Sequence, residues 1–175
     1  MDAIAVANYF IEREQKEPGE HPLDILRLVK LVYLAYGYSL AILDRCIINP
    51  RFDKVEAWKL GPVIPSVYHT FKYNKANPIT EKGGFIVENH DEGGFGFVTP
   101  EIPVDEKDVI LILEMVWIRY SKTSTKDIIN LLHLANTPWA ECYRPYQNVE
   151  IPEEMTKEYY TTLVNYLRDR AKSKN

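Results

Sequence analysis

Apolar residues recur along most of the chain at the three- and four-residue steps of helices buried on one face. Ala3, Ile4, Ala7, Phe10 and Ile11 follow Asp2, whose carboxylate can cap a first turn, and the polar run from Glu14 to Glu20, with Pro18-Gly19, ends that helix. A second helix is expected from near Pro22 to Leu43. It is apolar nearly all round apart from a stripe of Asp24, Arg27 and Lys30, which puts it at the centre of the fold. Its most apolar part, Leu31 to Leu43, is shorter than the roughly 20 apolar residues of a membrane span and reads as a buried helix.

Beyond Asn49-Pro50 the pattern changes. Val55 to Trp58 reads as a short extended strand ahead of Gly61-Pro62, and Pro65 suits the first turn of a helix running to about Lys72, where its missing N–H leaves no bond unmade. Phe85-Ile-Val and Phe95-Gly-Phe-Val flank the polar segment Asn89 to Gly94, the signature of a hairpin, a small wing spanning about residues 80–100.

Helical periodicity then returns. Val109, Leu113, Val116, Trp117 and Tyr120 form one face, with Asp105 and Asp108 spaced as a capping box and Val104 and Val109 spaced as a hydrophobic staple. Ser124 and Asp127 repeat the cap before Ile128, Leu131, Leu132 and Ala135, and Thr137-Pro138-Trp139 opens a short helix. The last helix starts at Pro152-Glu153-Glu154, carries Met155, Tyr159, Leu163 and Leu167 at four-residue steps, and ends in the basic tail Arg168, Arg170, Lys172, Lys174, the order that the helix dipole favours. The expected fold is mainly α: a compact helical domain of about six or seven helices with a small β-hairpin and short-strand element. Its organisation is a main domain over residues 1–148 and a C-terminal helix, 149–175, packed on it.

Composition narrows the function. The 175 residues are enough for one core, and a formal net charge of −4 argues against a chain whose task is neutralising phosphates, so nucleic acid is not an expected partner. Ser124 to Tyr143 has the outline of a helix-turn-helix, but Pro-Trp-Ala-Glu-Cys-Tyr offers almost nothing to read base edges. Cys46 and Cys142 have no CxxC spacing and suit a reducing cytoplasm. His21, His69, His90 and His133 are far apart, with no HExxH and no zinc spacing, so no metal or other cofactor is expected and each histidine reads as structural or solvated. Ser66 or Thr70 near His69 are only loose nucleophile candidates, and Gly83-Gly84 and Gly93-Gly94-Phe95-Gly96 lack the lysine and helix of a phosphate cradle. No catalytic residue stands out, and no enzymatic activity is expected.

What does stand out is Glu56-Ala-Trp-Lys-Leu-Gly-Pro-Val-Ile-Pro-Ser-Val-Tyr-His-Thr-Phe-Lys72. Two prolines fix the chain's direction, while Trp58, Tyr68 and Phe71 supply aromatic surface beside Glu56, Lys59 and Lys72, the mixture typical of interface hot spots. Packing of Trp58 and Phe71 on the second helix is the competing structural explanation. Glu56 is placed to pair with Lys30 or Lys59.

With Asn8-Tyr-Phe, Leu28-Val-Lys-Leu-Val-Tyr-Leu-Ala-Tyr-Gly37 and Thr137-Pro-Trp139, this block resembles the Panacea domain, also called the GepA or SocA-like family, over roughly residues 1–145. The resemblance implies a cytoplasmic bacterial or phage-associated antitoxin of a toxin–antitoxin system, neutralising by direct protein contact a cognate toxin encoded nearby. Lys30, Tyr33, Gly37, Glu56, Trp58, Gly61, Pro62, Val63, Tyr68, Thr137, Pro138 and Trp139 match its motif. Of these and their neighbours, Glu56, Trp58, Lys59, Tyr68, Lys72 and Trp139 are candidate partner-binding residues, and Lys30, Tyr33, Gly37, Gly61, Pro62, Val63, Thr137 and Pro138 are expected to shape the fold. The wing and the segment after about Asn148 are alternative carriers of partner specificity. Two other readings remain: an adaptor that delivers the toxin to an ATP-dependent protease, and a cryptic enzyme or nucleic-acid effector. The sequence sets no oligomeric state, a homodimer being one option.

Overall fold

A computed structural model describes residues 1–89 and 94–173. His90, the tip of the expected wing and Lys174 lie outside the described residues. Among the described residues are seven α-helices, two short antiparallel sheets and one 3-10 turn.

The centre is α2, Ile25–Leu43, which buries residues on all sides from Arg27 to Leu40. It begins later than expected, because Asp24 does not sit on the helix but caps it, accepting a hydrogen bond from the Arg27 backbone N–H at 2.8 Å. The supposed polar stripe is therefore a cap followed by two interior cations: Arg27 and Lys30 are both fully buried. Arg27 donates to the carbonyls of Tyr120 (2.6 Å), Ser121 (3.0 Å) and Thr123 (2.6 Å), so its charge sits at the negative end of another helix. With 19 residues and a mean hydropathy of 1.5 over its most apolar 18, α2 is long and apolar enough to cross a membrane, more than Leu31 to Leu43 alone suggested. Of those 18 residues, 78% are nonetheless buried inside the protein, as in a core helix.

Around α2 pack α1 (Ala3–Lys16), α4 (Lys107–Tyr120) and α7 (Glu153–Lys172). Asp2 caps α1 as the pattern requires, its carboxylate 2.7 Å from the Ile4 N–H. The expected start of α4 is not what forms. Glu106, not Asp105, is the cap residue, without a side-chain hydrogen bond, and Val104 is 87% exposed, so it makes no staple with buried Val109. Arg45 instead ties Glu106 to the end of α2 at 2.6 Å. In α7 the buried line is Thr156, Tyr160 and Val164, one residue along from the expected Met155, Tyr159 and Leu163, which are half-buried at its flank. Gly37 decides this register: a Cβ there would lie 2.4 Å from the Tyr160 ring.

α3 (Pro65–Phe71) follows its proline, and the 3-10 turn Lys72–Asn74 extends it. α5 (Thr125–Leu132) starts at Ser124, whose hydroxyl accepts from the Asp127 N–H at 3.1 Å; Ile128 and Leu132 are buried, whereas Leu131 and Ala135 are exposed and add nothing to the core. α6 is Pro138–Cys142.

The first sheet exceeds the single strand expected. β1 (Glu56–Trp58) is central, paired antiparallel with β2 (Gly61–Val63) on one side and, on the other, with a short strand at Val149–Glu150. The second sheet is the expected hairpin. Its strands, β3 (Phe85–Asn89) and β4 (Gly94–Val98), pair Ile86 with Phe97, and the strand at Val149–Glu150 is β5. The wing is anchored by buried Asn8, whose amide N–H groups donate to the Gly83 and Pro100 carbonyls and whose oxygen accepts from the Gly83 N–H, each at 2.8 Å.

Candidate docking site

β1 and β2 form a hairpin whose turn is Lys59-Leu60, with Trp58 opposite Gly61. Residues two apart on a strand share a face, and Glu56 accepts a hydrogen bond from the Trp58 indole N–H at 2.6 Å. Glu56 thus orients Trp58. The expected pairing with Lys30 or Lys59 does not form: Lys30 is buried and donates to the Pro62 carbonyl at 2.9 Å, and Lys59 is exposed at the turn.

Trp139 joins the hairpin from α6. Its indole N–H donates to the Trp58 carbonyl at 2.7 Å, and its ring is stacked between two others, His133 at 3.6 Å and Tyr143 at 4.7 Å. Thr137 fixes this helix, its hydroxyl oxygen accepting from the Ala140 N–H at 3.3 Å while its proton is directed at the Leu132 or Leu134 carbonyl. On the other side of Trp58 lies Tyr68 from α3, edge-on at 4.9 Å, with exposed His69 5.5 Å from Tyr68. Trp58, Tyr68 and Trp139 are only half-buried. Aromatic rings held by hydrogen bonds yet partly open lose little freedom when a partner covers them.

Beneath the rings is an unusual electrostatic arrangement. Gly61 has φ 104°, a left-handed value, and a Cβ there would lie 3.2 Å from Lys30 Nζ and 3.4 Å from His133 Nε2. Burial pushes the Lys30 ammonium down to about 7. The His133 imidazole is also lowered, first by burial and then by the charge of Lys30. His133 Nε2 is buried without a hydrogen-bond partner.

Of the candidate binding residues, the structure brings Glu56, Trp58, Tyr68 and Trp139 into one cluster, with Lys59 at its tip. Lys72 stands exposed one turn beyond Tyr68, its ammonium 5.5 Å from the Tyr73 ring centre. Tyr33 and Gly37 lie on α2 under α7, and Pro62, Val63, Thr137 and Pro138 are buried. Burial pushes the Tyr33 phenol well above its ordinary value.

Sequence reasoning missed His133 and Tyr143, which sandwich Trp139, and Tyr146. A cavity of about 410 Å³ opens beside Lys59, lined by Tyr143, Pro145, Tyr146, Gln147 and Asn148. Tyr146 is fully exposed and has φ 64°, so the chain presents this ring outward at the cost of a left-handed backbone. Its only sequence signal was the density of aromatics and proline directly after Thr137-Pro-Trp139.

Among the described residues no group of three or more histidine, cysteine or acidic side chains converges as a metal site. The geometry is that of a buttressed aromatic surface. Residues 28–140 match the antitoxin SocA-like, Panacea domain, more than half of the chain, and this protein belongs to that family. The match is shorter than the expected 1–145 and ends before Tyr143. Antitoxin SocA of Caulobacter vibrioides (strain NA1000 / CB15N) is a relative, 29% identical over 139 residues, which cover 79% of this chain and 69% of that protein. No solved structure matches.

Proposed function

We propose that this chain is a cytoplasmic antitoxin that binds a cognate toxin directly and masks it, using the face formed by Trp58, Lys59, Tyr68, Lys72 and Trp139. Membership of an antitoxin family supports the role. The observation that carries the choice of surface is the Lys59-Leu60 turn: its exposed side chains stand on a hairpin locked by the Glu56–Trp58 and Trp139–Trp58 hydrogen bonds. A rigid tip with open aromatic rings beside it meets the needs of a central anchor, in which a few aromatic and charged residues dominate binding.

The shared motif supplies the platform, and Tyr143 to Asn148, outside the family match, supply contacts particular to this toxin. Glu56 acts through Trp58, as a positioning residue. Exposed Lys59 and Lys72 favour an acidic toxin surface and speed encounter with it.

The test is co-expression with the adjacent reading frame under an inducible promoter, reading growth, complex formation and toxin level together. Masking predicts rescue with a stable complex and an undiminished toxin. Rescue accompanied by protease-dependent disappearance of the toxin would replace masking with delivery.

A further inference from the structure

A second surface lies away from the hairpin. On α4, Leu111, Met115 and Ile118 follow one another at helical steps of four and three, on a line separate from the buried Val109, Leu113, Val116 face. Leu111 is 69% exposed and Ile118 71%. Across from them, Val164, Leu167 and Ala171 of α7 repeat the same kind of spacing, and Tyr38 and Ile42 of α2 form the floor. Together they line an open, largely apolar groove of about 840 Å³. Two helices presenting apolar stripes to a common gap, with a third helix beneath, leave the position that another helix fills in a bundle.

The charges at the groove select its occupant. Glu114 is already engaged, by the Tyr9 hydroxyl at 2.5 Å and by Arg13 at 2.9 Å. Arg119 and Arg168 are exposed, and among the described residues neither meets a carboxylate; Arg119 reaches only the Tyr120 hydroxyl at 3.3 Å. A second copy of the chain would bring these same arginines to the interface. A partner bearing acids would pair them.

We propose that this α4–α7 groove is a docking site for an amphipathic helix of a partner protein, with apolar residues at i, i+3 or i+4, and i+7 entering the groove and acidic residues meeting Arg119 and Arg168. The proposal is independent of the hairpin face: a chain that binds its toxin there keeps a second site for an acid-flanked helix of a protein partner.

The test is selection of a displayed library of helical peptides about 15 residues long on the full chain, followed by affinity measurement of the recovered peptides. Apolar stripes flanked by Asp or Glu are expected. Binding should fall roughly tenfold or more in Leu111→Glu and Ile118→Glu, and the double variant Arg119→Glu, Arg168→Glu should prefer lysine-flanked peptides instead. Leu111 and Ile118 are exposed, so thermal melting should be unchanged in their variants. Failure to enrich peptides on the parent chain over Ile118→Glu would overturn the proposal, as would indifference to the charge reversal. A concentration-dependent dimer abolished by Ile118→Glu, or displacement of the peptides by laurate, would also overturn it, naming a second copy or a fatty acid as the occupant.

Discussion

At the scale of single residues, the most consequential group is Lys30. Its ammonium is fully buried with one carbonyl partner, and its pKa of about 7 in the folded chain lies far below the ordinary lysine value near 10.4. Between those values the unfolded chain holds a proton that the folded chain has released, so stability must rise with pH through this window; below the folded pKa both states are charged and the burial cost is felt in full. From pH 7 to about 8.5 the gain is on the order of 1.5 kcal/mol. Cys46, pushed up to about 11, and Cys142, also raised by burial, oppose part of this gain toward the top of the range, where unfolded thiols ionise near 8.5, and they do so equally in a Lys30 variant; depressed His133 acts below about 6.5. Urea denaturation across this range should show the rise in the parent chain and its loss in Lys30→Met. A parallel pH dependence in the two proteins would mean that Lys30 is charged in the fold. The sequence showed Lys30 as a motif member on an otherwise apolar helix, but not its role, because that rests on a carbonyl contributed 32 positions away.

At the scale of elements, register and anchorage can be measured. Tyr160 sits at the heart of the contact between α2 and α7, with Tyr33, Tyr38 and Tyr159 edge-on within 6.0 Å. Tyr160→Ala should therefore cost about 3–5 kcal/mol in chemical denaturation, and half-buried Tyr159→Ala substantially less. The reverse ranking would restore the four-residue line that the sequence suggested. Asn8→Ala should remove the three hydrogen bonds that clamp the wing, and limited proteolysis should then cut near Gly83 and near Pro100 sooner than it does in the parent. Equal cleavage rates would show that the wing does not depend on this clamp. Helices α1, α4, α5, α6 and α7 and the hairpin were legible because their period and most of their caps are local. The one-residue shift of α7, the failed staple at Val104 and the pairing of β1 with β5 were not. The first depends on Gly37 across a helix interface, the second on Arg45 drawing Glu106 toward α2, and the third on a strand 93 residues further along. Four-residue spacing alone cannot separate a buried line from its neighbour when both carry large apolar side chains.

At the scale of the whole molecule, two half-open surfaces lie on one helical scaffold. The hairpin face combines family-motif residues with Tyr143 and Tyr146 from beyond the family match, and the α4–α7 groove offers a second, apolar surface with two arginines that meet no carboxylate among the described residues. Part of the hairpin face could be read ahead of the structure, since Glu56, Trp58, Tyr68 and Trp139 belong to specific motifs. His133 could not, because its stacking on Trp139 is created by the turn between α5 and α6, whereas the stacking of Tyr143 on Trp139 is a local pair four residues apart along α6 and its cap that spacing alone could have shown. Toxin docking at the hairpin tip is tested by the affinity of the purified chain for the product of the adjacent gene, compared between the parent and Lys59→Glu. Lys59 is exposed at a turn, so this variant should melt like the parent. Docking through the hairpin tip requires a stable parent complex that Lys59→Glu weakens by roughly tenfold or more, about 1.4 kcal/mol; binding of equal strength by both proteins would place the toxin elsewhere.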